Sequence, residues 1–366
     1  MRNLENLYPM LVIFSYSLVL NSMPPLLSSF RELFNISIAL SSFLPFFSLA
    51  GTVISNIFTG IFLNKLGIKR ALLTGYFLTI VGALIVAFSG NYLLSILGLF
   101  IFGLSTGFGF TGSTTLLSQA KNPNFGFYHG AYGIGGILAP FCISWATKNF
   151  GDFRNVYLMY AIMFLLLTLY TVIKTFPILQ NSLGGFSLKG ISNAFRDTHF
   201  STFLLLLILY SSVEIGVITW AGIVMKNVII SSYVAYALFW LAFTLSRFFT
   251  DFLEKVMSSL LRTNAIILGF TVFLFFWLRN PLFFALSGFF FGPLFPYMQK
   301  NALGKIKKEH LTLFNGATYA FTSLGGSVVS MLMGMVIERN IFLALIVPLV
   351  ILTSMELISL KTGKIK

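Results

Sequence analysis

One carboxylate stands deep inside an apolar run of this sequence. Glu214 lies about halfway along the stretch Tyr210-Ser-Ser-Val-Glu214-Ile-Gly216-Val-Ile-Thr-Trp220. On membrane-insertion scales a charged residue at a helix centre costs about 2.5–3.5 kcal/mol, so an acidic residue there calls for a function. A carboxyl taken out of water keeps its proton more readily. Glu214 is therefore expected to carry a proton or to accept a hydrogen bond from a substrate; a structural bond to a neighbouring helix is the alternative. Tyr210, four residues earlier on the same helical face, is expected to orient it. Arg247 has Asp251 at i+4 and Glu254 at i+7, a spacing that shares one helix face. These three are expected to form an inner gate, against the alternative of a static surface cluster with a snorkelling Arg. His129 opens an apolar run and could shuttle a proton or simply pack at an interface. Ser17, Asn21, the pair Pro24-Pro25 and Ser28 share a face, and the prolines should interrupt their helix. Freed carbonyls and the Asn21 amide would suit substrate hydroxyls. Gln299 and Asn315 are further polar candidates toward the inner ends of their helices.

Such residues need elements to hold them, and those elements are hydrophobic. The 366-residue chain is 57% hydrophobic and 9% charged, where soluble domains carry about 25% charged residues. Apolar runs fall at about 8–29, 38–63, 71–89, 91–118, 127–147, 155–175, 202–225, 229–252, 260–279, 281–303, 312–337 and 340–360. Each approaches the roughly 20 residues that span a bilayer as a helix. The first run lacks a small-residue cleavage site and reads as a span rather than a signal peptide. Most of the 31 Gly and 11 Pro fall within the runs, where they permit close packing and kinks. The single Cys142 gives neither a disulfide framework nor a metal cluster. The charge of +14 is spread over short loops, which argues for membrane topology rather than nucleic-acid binding. Of the 24 Lys and Arg residues, only Arg31, Lys148, Arg154, Lys226, Arg279 and Arg339 fall on the outer side when the N-terminus is inside; the other 18 fall inside. The positive-inside rule thus predicts both termini in the cytoplasm of a multi-pass cell-membrane protein.

The longest hydrophilic connection, Thr175 to about Ser201, divides the runs six and six. It predicts a half over 1–175, a cytoplasmic linker over 176–201 and a second half over 202–366. The halves echo each other at a near-constant offset. Leu97–Gly103 aligns with Leu286–Gly292 at 189, Gly135-Gly136 with Gly325-Gly326 at 190, and His129-Gly130-Ala131 with Asn315-Gly316-Ala317 at 186. Phe62-Leu63-Asn64-Lys65 aligns with Phe252-Leu253-Glu254-Lys255 at 190. Two six-helix halves in the same orientation are a plan of secondary transporters, with the substrate site near mid-membrane between them.

The loop Gly60-Ile-Phe-Leu-Asn64-Lys65-Leu-Gly67-Ile-Lys69-Arg70 resembles the signature loop G-x-L-x-D-R-x-G-R-[KR] of the major facilitator superfamily. The resemblance implies a gating role for Asn64, Lys65 and Arg70. Asn64 stands where the family's Asp is usual, which weakens the implied charge lock but still permits helix capping. Three further stretches resemble the fucose–proton symporter and sodium-dependent glucose-transporter-like branch. Tyr210 to Trp220 is similar to its Y-x-G-x-E-x-x-x-x-x-W, which implies a site role for Trp220. Phe239-Trp240-Leu-Ala-Phe-Thr244-Leu-Ser246-Arg247 is similar to F-W-x-G-x-T-x-G-R, and His129 to Pro140 to H-x-x-Y-G-x-G-x-x-x-x-P. The branch often carries an acidic residue and an Asn in span four; here that stretch reads Thr111-Gly112-Ser113-Thr114, so those roles do not carry over.

The expectation is an all-helical transporter of twelve spans that moves a small polar solute, such as a sugar, by alternating access. Its coupling ion would be a proton, with sodium the other choice. A monomer in the lipid bilayer is expected, with no cofactor, metal or nucleic-acid partner. Efflux of drugs or metabolites is the alternative within transport, and a non-transporting membrane sensor the alternative outside it. An embedded enzyme lacks support: the sequence has no His-rich metal motif, Cys cluster, G-x-S-x-G or P-loop.

Overall fold

The computed structural model describes residues 4–121, 124–176, 188–225, 231–256, 259–307 and 310–361, and no strand occurs among them. The predicted linker is thus described only in part, and residues 177–187 lie outside. The chain divides into two compact units: residues 1–34 with 43–186, and residues 35–42 with 187–366. In chain order the helices are α1 (Leu4–Leu20), α2 (Met23–Phe34), α3 (Ile38–Ser41), α4 (Phe43–Leu66), α5 (Ile68–Ala87), α6 (Tyr92–Ser118), α7 (Phe125–Phe150) and α8 (Asn155–Ile173). There follow α9 (Leu188–Arg196), α10 (Thr198–Val224), α11 (Ser232–Phe248), α12 (Thr250–Val256), α13 (Leu260–Leu278), α14 (Pro281–Phe291), α15 (Leu294–Lys305), α16 (Leu311–Arg339), α17 (Ile341–Ala344) and α18 (Ile346–Lys361).

Among the described residues, ten helical segments are long and apolar enough to cross a membrane. They coincide with ten of the twelve runs read from the sequence. The other two runs fall on α7 and on α11. The first is long, with 26 residues, but Gly, Ser, His129 and Lys148 dilute its apolar character. The second has only 17 residues, below the length a bilayer asks of one helix. Large apolar side chains face outward along the spans, Phe88 at 72%, Leu93 at 73% and Ile173 at 79% exposure. That much exposed hydrocarbon suits lipid, not water.

Several runs that read as single spans are broken helices. The first breaks at Asn21-Ser22, and Pro24 and Pro25 then occupy the first turn of α2. A proline there needs no donor but would clash with a helical turn before it. The tenth run breaks at Gly292-Pro293 for the same reason. Starts are fixed by side-chain caps: Asn91 accepts from the Leu94 N–H at 2.9 Å, and Asn280 from the Leu282 N–H at 2.9 Å. Between α7 and α8, Arg154 donates to the Asp152 carboxylate (2.6 Å) and to the Ser89 carbonyl. Partial burial works against ionisation of Asp152, yet the hydrogen bonds from Arg154 hold its carboxyl below its ordinary value.

The same neighbour pairs recur inside each unit. In the first, α1 packs on α7, α4 and α5 on α6, and α5 on α8; in the second, α10 packs on α16, α11 and α13 on α14, and α13 on α18. The close approaches recur as well. A Cβ placed on Gly135 of α7 would stand 2.6 Å from the Cβ of Ser17 on α1, and one on Gly325 of α16 would stand 2.6 Å from the Oγ of Ser212 on α10. Backbones this near each other are the membrane mode of helix packing, where small residues replace a hydrophobic driving force.

Candidate functional site

The second unit gathers a carboxyl, a guanidinium and two phenols. Glu214, on α10 just past its midpoint, has the Tyr210 hydroxyl beside it and Arg247 of α11 within electrostatic reach. Tyr210 lies one helical turn earlier and is 1% exposed. Its hydroxyl donates to the Phe291 carbonyl at 3.0 Å, and its ring meets Phe291 and Phe295 at 6.1 and 6.2 Å. The Phe291 carbonyl is at the end of α14, beside the break at Gly292-Pro293. Arg247 donates from Nε toward the Gly292 carbonyl at 3.4 Å and lays its guanidinium 4.3 Å from the centre of the Phe243 ring. Tyr319 of α16 also lies within reach of Arg247. Glu214, Arg247 and Tyr319 are each partly exposed as residues. A carboxyl and a guanidinium that share the Tyr210 phenol as a neighbour can exchange partners when a proton or a solute arrives.

Glu254 does not join Arg247. Its carboxylate pairs with Lys300 at 2.9 Å. The helix stops at Phe248 and starts anew at Thr250, so the single continuous face expected from the i, i+4, i+7 spacing is interrupted. The side chain of Asp251 lies outside the described residues, as do those of Asn64 and Asn315. Trp220 is fully buried and donates its indole N–H to the Ser330 carbonyl at 2.7 Å. Gln299 is partly buried on α15.

The remaining sequence candidates belong to the first unit. Asn21 sits at the break between α1 and α2, 6% exposed, and its amide donates to the Ser17 carbonyl and hydroxyl, both at 2.9 Å. Ser17 in turn donates to the Tyr132 carbonyl of α7. The amide hydrogens of Asn21 are thus taken, and its side-chain oxygen is what a hydroxyl donor would meet. His129 is partly buried at the fifth residue of α7, its ring 5.6 Å from that of Tyr128. Lys65 is exposed near the Phe62 ring (6.0 Å), and Arg70 is exposed. Lys69, between them in the motif, donates to the carbonyls of Val172 (2.7 Å) and Lys174 (3.1 Å) at the end of α8. A cation there offsets the negative end of the helix dipole. Neither Lys69 nor Tyr319 was singled out from sequence, because both act through other helices.

No group of three His, Cys, Asp or Glu side chains able to hold a metal occurs among the described residues. The profile of the Major Facilitator Superfamily matches residues 9–354. Among solved structures, the chain is similar to a variant of the E. coli fucose:proton symporter, FucP, at 18% identity and a TM-score of 0.68, with 98% of each chain covered. FucP in its outward conformation gives 17% identity, a TM-score of 0.68 and 99% coverage of each chain. The peptide transporter POT in complex with sulfate gives 13% identity and a TM-score of 0.76, covering 98% of this chain and 95% of that one. At such identities the likeness is one of fold. No curated protein matches the chain's sequence.

Proposed function

The chain belongs to the major facilitator superfamily and is a transporter rather than an enzyme; from that premise we propose that it moves a small polar solute, of the sugar class, by proton-coupled alternating access. The observation that carries the reading is the Glu214 carboxyl, set beside the Tyr210 hydroxyl and within electrostatic reach of Arg247. A carboxyl that gains a proton releases Arg247, and one that loses it draws Arg247 back. Such an exchange ties protonation to the arrangement of α10 and α11. Within the first unit the Asn21 side-chain oxygen, and within the second the Tyr319 phenol, are each suited to hydrogen-bond a solute hydroxyl.

Twelve spans in two parallel halves complete the proposal, with α7 and the α11–α12 pair as the two further spans. The recurring neighbour pairs and the matched Gly135 and Gly325 approaches support it. Both termini and the Thr175–Ser201 connection are assigned to the cytoplasm. The similarity to FucP, a fucose:proton symporter, favours sugar and proton over other pairs. Purified protein in proteoliposomes, given radiolabelled sugars and organic acids with and without an inward proton gradient, tests the reading. A sugar should accumulate only when the gradient is present. Accumulation of an acid alone, or uptake that follows sodium and ignores pH, would overturn it.

A further inference from the structure

The second unit holds a cavity of about 450 Å³ that none of the transport candidates lines. Its walls are Arg196, Asp197, His199, Lys305, Lys307 and His310, with Asn193 at the edge. Three helix ends meet there: α10 begins at Thr198, α15 ends at Lys305 and α16 begins at Leu311. Three permanent cations thus face one carboxylate and two imidazoles. That carboxylate is already engaged, since Asp197 accepts from the His199 N–H at 2.9 Å and the Phe200 N–H at 3.4 Å. It caps α10 and keeps its charge, so it offsets one of the three cations and the described lining residues retain a positive excess. At the start of α16 the His310 side chain lines the pocket and makes no capping bond to the helix. The positive end of a 29-residue helix therefore points at the same space as the cations.

The short helix α9 completes the wall and suggests where the ligand comes from. Ala194 is fully buried, while Phe195 is 41% exposed with its ring against Phe200 (5.2 Å) and Phe321 (6.1 Å). Asn193 and Arg196 are exposed. An apolar face beside a basic one is the pattern of a helix lying in the membrane interface. Basic pockets at the ends of membrane helices suit phosphorylated headgroups, and a guanidinium offers a forked donor that matches phosphate oxygens.

We propose that this pocket is a phosphate-binding site, taking the phosphate of an anionic lipid headgroup or that of a soluble phosphate. The inference does not depend on the solute or ion transported. It is tested by the melting temperature of detergent-purified protein with added phosphatidylglycerol, phosphatidylcholine or inorganic phosphate, and by native mass spectrometry of retained lipid. The double variant Arg196→Gln/Lys307→Gln removes two exposed charges. Lys148→Gln/Lys255→Gln removes two exposed charges elsewhere, and Arg196→Lys/Lys307→Arg keeps the charge. Stabilisation by phosphatidylglycerol alone, weakened roughly tenfold or more in concentration by the first variant only, identifies a headgroup site. Stabilisation by inorganic phosphate with the same dependence identifies a soluble ligand. Equal responses of the first variant and the charge-matched control in both arms would overturn the proposal, as would a charge-conserving pair that loses binding as fully as the Gln pair.

Discussion

Arg247 is the residue whose surroundings differ most from its sequence context. The sequence offers it Asp251 and Glu254 at helical spacings; Glu254 pairs with Lys300 instead, and Arg247 meets the Gly292 carbonyl and the Phe243 ring within electrostatic reach of Glu214. Tyr210 beside Glu214 was legible, because i and i+4 share a face whatever the tertiary structure. The approach of Arg247 and Tyr319 was not, since it depends on how α10, α11 and α16 pack. Arg247→Ala should leave the protein folded and lower gradient-driven uptake by at least about tenfold, the scale of one charged hydrogen bond. Arg247→Lys should keep part of that rate. Normal uptake by the Ala variant would return Arg247 to a surface role. Asn21→Ala should cost little stability, about 0.6 kcal/mol for a hydrogen bond within a membrane protein. It should raise KM for the solute with the maximal rate nearly unchanged. An unaltered KM in transport assays would limit Asn21 to holding Ser17.

At the scale of elements, hydrophobic run length located the helices well, because the bilayer imposes both length and polarity. It could not locate the breaks. Pro24 and Pro25 signal an interruption, but the gap falls at Asn21-Ser22, since a proline disturbs the turn before it and is welcome in the first turn after. The glycines give a sharper test of packing. An alanine in a helix is favoured over glycine by about 1 kcal/mol. At Gly316, where nothing lies within 4 Å of a new Cβ, Gly316→Ala should raise stability by up to that amount. At Gly325 and Gly135 the new methyl would stand 2.6 Å from Ser212 and Ser17. Overpacking costs about 1–3 kcal/mol, so both Ala variants should melt lower than the parent. Denaturation in detergent, followed by intrinsic fluorescence, checks the sign at each position. A stabilised Gly325→Ala variant would show that α10 and α16 are not in such close contact.

For the whole molecule, the weak echoes between Gly135-Gly136 and Gly325-Gly326 appear in the sequence only as a repeated offset, and the recurrent helix pairs are consistent with the proposed repeat. Orientation rests on charge. The proposed topology assigns 18 of the 24 Lys and Arg residues to the side of the termini, so a reporter fused after Lys366 should be active only in its cytoplasmic form. Activity of an externally folding reporter would reverse the assignment. The central claim is that Glu214 couples a proton to solute movement, and one paired measurement in proteoliposomes bears on it most directly. Glu214→Gln keeps the shape and hydrogen-bonding capacity of the side chain but cannot bind and release a proton. The variant should lose sugar accumulation on an imposed pH gradient by more than about tenfold, the scale of one lost charged interaction, while still exchanging labelled for unlabelled sugar across the membrane. Accumulation equal to that of the parent would contradict the claim.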